Sequence, residues 1–163
     1  LISGKFVPQP VPCELASLLA ICASSQEYKA VAKRQAIAVQ VEPANLTIAG
    51  DPVAIAEILK RLLDNAIKFT PEDGRIGLEA WCGSVPDTVD LVVWDNGIGL
   101  DPAQLDDILQ PFTQADARLA RGYEGLGLGL AYVDQMVRLL GGTLSVAGQP
   151  SQGSRFIITL PAS

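Results

Sequence analysis

The chain has 163 residues, 48% apolar and only 18% charged, and it contains no histidine. That length fits one domain able to bury a core, and the low charge argues against disorder. A Ser-His-Asp or Cys-His catalytic pair and a His-ligated zinc are excluded within the chain. The net charge of −6, from 12 basic and 18 acidic residues, disfavours nucleic acid or an anionic membrane as a partner. Cys13, Cys22 and Cys82 lack CxxC spacing and leave an odd count, so neither a metal cluster nor a disulfide framework is expected, which suits a reducing cytoplasm. The most apolar run, Leu15 to Ala23, is too short for the ~20 residues a bilayer span requires, and no signal peptide is evident.

In chain order, Pro8, Pro10 and Pro12 predict an extended, non-helical start. Good helix formers without Gly or Pro run from Glu14 to about Arg34, a first helix. Ile37, Val39 and Val41 alternate along Ala36–Val41, a strand, and a turn at Pro43–Asn45 leads to a second short strand near Leu46–Ala49. Asp51-Pro52 is an N-cap followed by a first-turn proline, and Ile55, Ile58, Leu59, Leu62, Leu63, Ala66 and Ile67 keep the spacing of one buried helical stripe. Thr70 to Gly74 ends that helix.

Ile76, Leu78, Ala80 and Cys82 alternate as a strand, and Leu91–Trp94 forms another that runs into Asp95. The polar stretch from Asn96 to Gly127 holds at most one short helix, near Gln104–Leu109. Leu128–Leu140 is an amphipathic helix ended by Gly141-Gly142. Thr143–Ala147 and Arg155–Leu160 read as a terminal hairpin around Gln149–Gly153.

Three features carry chemistry. At about 100° per residue, Arg61, Asn65 and Lys68 share one stripe beside the buried face of their helix. An amide oxygen and an ammonium so placed suit a metal–phosphate pair; equally, they suit a solvated polar face. Asp95-Asn96-Gly97-Ile98-Gly99 follows an apolar strand. Its carboxylate can accept from an exocyclic amine such as that of adenine, and its glycines let a flat ligand approach. The same residues make an ordinary tight turn.

Gly125, Gly127 and Gly129 open the last helix, where exposed N–H groups and the positive dipole end favour a phosphate. Close helix packing is the alternative. A dinucleotide fingerprint fails, because no apolar strand directly precedes these glycines, and no GxxxxGK[ST] loop occurs. Together and in order, the three features can surround one nucleotide. The roughly 25-residue stretch between them has the length of a lid, and Phe112 is an aromatic anchor for it.

Asp64-Asn65-Ala66-Ile67-Lys68-Phe69-Thr70-Pro71, Asp95-Asn96-Gly97-Ile98-Gly99, Pro111-Phe112 and Gly122-Tyr123-Glu124-Gly125-Leu126-Gly127-Leu128-Gly129-Leu130 resemble the N, first glycine, F and second glycine boxes of sensor histidine kinases. Gly153-Ser154-Arg155-Phe156 is similar to the closing strand of the same catalytic ATP-binding domain. The resemblance covers nearly the whole chain and implies one domain over residues 1–163, with 1–6 a remnant of the preceding dimerisation and phosphoacceptor domain. It implies an α+β two-layer sandwich of the Bergerat type, with a mixed sheet of about five strands and three helices on one face.

By resemblance, Asn65 ligates the Mg²⁺ that bridges the ATP phosphates, and Lys68 contacts those phosphates. Phe69 packs beside the adenine, Asp95 accepts its amino hydrogen, and Gly97 and Gly99 shape the floor. Arg121 matches a lid arginine that can reach the γ-phosphate, and Gly125, Gly127 and Gly129 form the hinge and helix start. The implied reaction is phosphoryl transfer from ATP to a histidine on a separate dimerisation domain, with a response regulator downstream. The implied location is cytoplasmic, with no nucleic-acid partner and no membrane insertion by this segment.

One departure stands out. The family commonly has Asn four residues before Asn65, and this chain has Arg61, which can pair with a phosphate or disturb the metal shell. Two further readings follow: a degenerate member that binds nucleotide or a partner protein without transfer, and an anti-sigma-type Ser/Thr protein kinase of the same fold.

Overall fold

A computed structural model of the chain describes residues 7–97, 126–148 and 152–163. Among them the elements are β1 (Val11–Glu14), α1 (Leu15–Ala32), β2 (Ala36–Glu42), β3 (Thr47–Gly50), α2 (Pro52–Phe69), β4 (Arg75–Cys82), β5 (Thr88–Asp95), α3 (Leu126–Leu139), β6 (Thr143–Gly148) and β7 (Ser154–Pro161). The expected lid, including the short helix near Gln104–Leu109, lies outside the described residues.

The main sheet has the order β2-β4-β5-β7-β6. β2 and β4 are parallel and the other neighbours antiparallel, so the sheet is mixed. A parallel pair needs a long crossover, and β3 with α2 supplies it. The terminal hairpin expected from Thr143 onward is the β6–β7 pair, in which Leu144 faces Ile158.

Side chains alternate along these strands. Ile76, Leu78 and Ala80 of β4, Leu91 and Val93 of β5, and Phe156, Ile158 and Leu160 of β7 are buried in one core with the helices. α2 contributes its whole predicted stripe, Ile55, Ile58, Leu59, Leu62, Leu63, Ala66 and Ile67. Among the described residues, three helices therefore cover one face of a five-stranded sheet, the two-layer arrangement expected.

The start of α2 forms as its sequence predicts. The Asp51 carboxylate accepts from the N–H groups of Val53 and Ala54, both at 3.1 Å, and Pro52 occupies the first turn, where no N–H is needed. The second Asp51 oxygen accepts the Gln9 N–H at 2.9 Å, which ties the N-terminal segment to the helix start.

The proline-rich segment holds more structure than predicted. β1 pairs antiparallel with β3 in a separate two-stranded sheet, Pro12 opposite Ala49. An edge position tolerates Pro12, because its missing N–H costs no ladder bond when it faces away from the partner. No helix among the described residues is long and apolar enough to cross a membrane.

Candidate functional site

The carboxyl ends of α2 and β5 meet, and that junction carries the candidate site. Asp95 is the last residue of β5 and is only 9% exposed. Its Oδ1 accepts the Gly97 N–H at 2.8 Å, and its Oδ2 accepts the Ser154 hydroxyl at 2.6 Å. Ser154 sits directly opposite Asp95 in the β5–β7 register, so the sheet itself brings the hydroxyl to the carboxylate. Burial pushes the Asp95 carboxyl above its usual range, against the pull of the Ser154 hydroxyl and of the Gly97 and Ser154 backbone N–H groups. The result is a buried, oriented acceptor, the arrangement that recognition of an amine requires.

Glycine at 97 is a steric necessity. A Cβ there would stand 2.5 Å from the Phe69 carbonyl oxygen, 2.9 Å from Asp95 Oδ1 and 3.0 Å from Thr70 Cα. The close approach locks the Asp95 turn onto the end of α2. Asn96 completes the junction: its Oδ1 accepts the Arg75 N–H at 2.8 Å, and its own N–H reaches the Arg75 carbonyl.

The last turn of α2 is fixed from the other side. Gln35, buried between α1 and β2, donates Nε2 to the carbonyls of Ile67 (3.1 Å) and Thr70 (2.7 Å). Lys33 Nζ donates to the Ile67 carbonyl at 2.7 Å. These donors satisfy helix-end carbonyls that would otherwise be unpaired. They thereby hold Phe69, which packs partly buried against the core, beside Gly97.

One turn earlier Asn65 is buried at 7% exposure, a low value for an amide side chain. It faces α3: a Cβ added at Gly129 would lie 3.8 Å from Asn65 Nδ2. Lys68 points toward α1 instead. Its Nζ pairs with Asp64 at 3.2 Å, and Lys29 of α1 holds the other oxygen at 3.1 Å. Burial alone pushes the Asp64 carboxyl up, but the hydrogen bonds and charges of Lys29 and Lys68 outweigh it and hold the group below its usual range.

The structure thus gathers Asn65 with Gly129, and Phe69 with Gly97 and Asp95, along one helix end. Gly127 and Gly129 lie in the first turn of α3. Gly99, Phe112, Arg121 and Gly125 lie outside the described residues. Arg61 is already engaged: its Nε donates to Glu57 at 2.9 Å, and its guanidinium carbon sits 4.0 Å from the Tyr132 ring centroid on α3. Ser154 is a site residue that the sequence does not single out, although its pairing follows from the strand register that the hairpin sets.

Among the described residues no group of three or more His, Cys, Asp or Glu side chains is placed to hold a metal. Mg²⁺ brought in by phosphates usually takes only one or two protein oxygens beside waters and phosphate oxygens. Asn65 can supply one such oxygen. Asp95 likewise fits a purine amine.

Residues 50–163 match the sequence profile of the family described as histidine kinase-, DNA gyrase B- and HSP90-like ATPases. The autoinducer 2 sensor kinase/phosphatase LuxQ of Vibrio parahaemolyticus is 32% identical over 97% of the chain, which covers 19% of that protein. The circadian input-output histidine kinase CikA of Thermosynechococcus vestitus is 45% identical over 69% of the chain and 15% of its own length. Full-length ShkA, solved in complex with AMPPNP, superposes with a TM-score of 0.83 at 30% identity, over 98% of this chain and 32% of that one. The chain spans about a fifth of the length of the curated relatives it matches.

Proposed function

Because the chain belongs to the family of histidine kinase-, DNA gyrase B- and HSP90-like ATPases, as a histidine kinase catalytic domain, we propose that it binds Mg²⁺–ATP at the α2–β5 junction and donates the γ-phosphoryl group to a histidine on a dimerisation domain. The observation that carries this reading is the buried Asp95 carboxylate, oriented by Gly97 and Ser154 beside the end of a helix bearing Asn65.

Each residue has a distinct task in this proposal. Asp95 accepts the adenine amino hydrogen, and Phe69 packs beside the base, with Gly97 and Gly99 as the floor. Asn65 would hold Mg²⁺ through its amide oxygen. The bound ion supplies charge neutralisation at the phosphate oxygens. The N–H groups opening α3, near Gly125, Gly127 and Gly129, face the phosphates.

Lys68 exchanges its Asp64 partner for a phosphate, and Arg121 reaches the γ-phosphate from the lid that Phe112 anchors. A neutral imidazole nitrogen of the acceptor attacks the γ-phosphorus, the bond to the β–γ bridging oxygen breaks, and ADP leaves. Phosphoryl transfer of this kind relies on positioning and charge neutralisation more than on covalent help from the protein. The chain therefore needs no histidine of its own, since neutral imidazole is already nucleophilic near pH 7.

The degenerate reading draws its support from Arg61, and that support weakens once the guanidinium is seen paired with Glu57 and stacked on Tyr132. The wider protein is proposed to be a cytoplasmic or membrane-attached sensor acting on a response regulator. The test is transfer from [γ-³²P]ATP to the added histidine-bearing domain. Acid-labile, alkali-stable label on that domain, and none on the chain alone, is expected. Nucleotide binding without transfer would establish the degenerate reading, and acid-stable label on a partner serine would establish the Ser/Thr kinase reading.

A further inference from the structure

Arg61 stands where relatives of this kind commonly carry an asparagine, and its surroundings give it a different task. The residue lies on α2 one turn before Asn65, so the two side chains occupy the same side of the helix. Both meet α3. Arg61 packs its guanidinium over the Tyr132 ring at 4.0 Å, well inside the range of a favourable cation–π contact. Asn65 faces Gly129, three residues before Tyr132. The contact order reverses between the helices, 61 with 132 and 65 with 129, so the helices run in opposite senses along this seam.

Glu57, one turn earlier again, accepts from Arg61 Nε at 2.9 Å and so orients the planar group. Its charge also offsets that of the arginine. With one edge on a carboxylate and one face on an aromatic ring, the guanidinium joins two helices. A planar, delocalised cation suits that role better than an ammonium does.

We propose that Arg61 is a positioning residue: through Tyr132 it holds the glycine-bearing first turns of α3 against Asn65, and so sets the spacing between the metal-binding amide and the phosphate-facing helix start. The nucleotide part of this inference rests on the proposed function; the contact between the helices does not. Glu57, Arg61 and Tyr132 then form one unit outside the metal shell. The asparagine commonly found at this position is replaced by a strut.

Four variants test it: Arg61→Met, Tyr132→Leu, their double, and Tyr132→Phe. In the nucleotide-free chain, Arg61→Met and Tyr132→Leu should each speed amide hydrogen exchange at residues 129–133 while leaving β4 and β5 unchanged. Each should weaken binding of Mg²⁺–AMPPNP about three- to fivefold and leave adenosine binding unchanged, because the Asp95 end is untouched. The double variant should be no worse than either single one. Tyr132→Phe, which keeps the ring, should behave as the wild type.

If Tyr132→Leu matches the wild type while Arg61→Met alone loses AMPPNP, Arg61 is a direct phosphate ligand and the proposal is wrong. Additive effects in the double variant overturn it equally. If the wild type binds no nucleotide, the nucleotide reading fails. The exchange measurement then still decides whether Arg61 holds the start of α3.

Discussion

Replacing Asp95 with asparagine should separate binding from stability. In the wild type, Oδ1 accepts from Gly97 and Oδ2 accepts from Ser154. Asparagine can keep the first bond through its carbonyl oxygen and donate its amide to the Ser154 hydroxyl, which turns to accept. Both of these bonds survive, but the adenine amine meets a group with one acceptor fewer and a donor in its place. A hydrogen bond to an ionised group contributes about 1.5–3 kcal/mol, so the affinity for Mg²⁺–AMPPNP should fall about ten- to 150-fold.

Stability should move the other way at neutral pH. Burial raises the native Asp95 pKa above that of the unfolded chain, so the native state binds the proton more tightly. The stability this group contributes is then full below the unfolded carboxyl pKa of about 3.9, and it is lost as pH rises through the native value. The uncharged amide of the Asp95→Asn variant removes that loss. Thermal melts of both proteins from pH 3.5 to 8 should show the variant with the higher Tm at neutral pH and a gap that narrows toward acid. A variant that melts lower at pH 7, a gap that ignores pH, or wild-type AMPPNP affinity would each refute the argument.

Three further outcomes are expected. Ser154→Ala removes the hydroxyl donor from a buried carboxylate and should cost about 1.5–3 kcal/mol in urea denaturation at pH 7, with a smaller cost in acid, where Asp95 is protonated. Gly97→Ala forces a methyl against the Phe69 carbonyl and Asp95 Oδ1; a loss of about 1–3 kcal/mol and of AMPPNP binding should follow by melting and calorimetry. Asp64, held low by Lys29 and Lys68, contributes stability that is present above the unfolded carboxyl pKa and lost as pH falls through the native one. Asp64→Asn should therefore flatten the acid side of the stability curve, with a cost of about 1 kcal/mol or less at pH 7 for a partly exposed pair.

Local rules make much of this fold readable. Asp51-Pro52 announces the start of α2 because a side-chain cap and a missing N–H act within four residues, and the α2 stripe follows from helical period alone. Asn65, Phe69, Asp95 and Gly97 are recognisable because their boxes are short and contiguous. What escapes a local reading is set by pairing across distance. Ser154 looks like part of a turn sequence, and only the register that places it opposite Asp95, 59 residues away, reveals its role.

Arg61 likewise reads as a phosphate partner or a disturbance of the metal shell, since nothing in α2 alone announces Tyr132 on a separate helix. β1 escapes because Pro12 lowers strand propensity, whereas a two-stranded edge with β3 tolerates it. The polar starting residues of β5, Thr88 and Asp90, hide its true length for a similar reason: they lie on the face away from the helices, where alternation permits polar side chains.

The proposed roles of all these residues depend on nucleotide binding where α2 ends against β5. Amide and side-chain chemical shifts of the ¹⁵N-labelled chain, followed during titration with Mg²⁺–AMPPNP, test it most directly. Saturable shifts centred on Phe69, Asp95, Gly97, Gly129 and the Asn65 side chain are expected, with Asp95→Asn moving their midpoint to about ten- to 150-fold higher nucleotide. Saturable shifts centred elsewhere, or none at millimolar nucleotide, would contradict it.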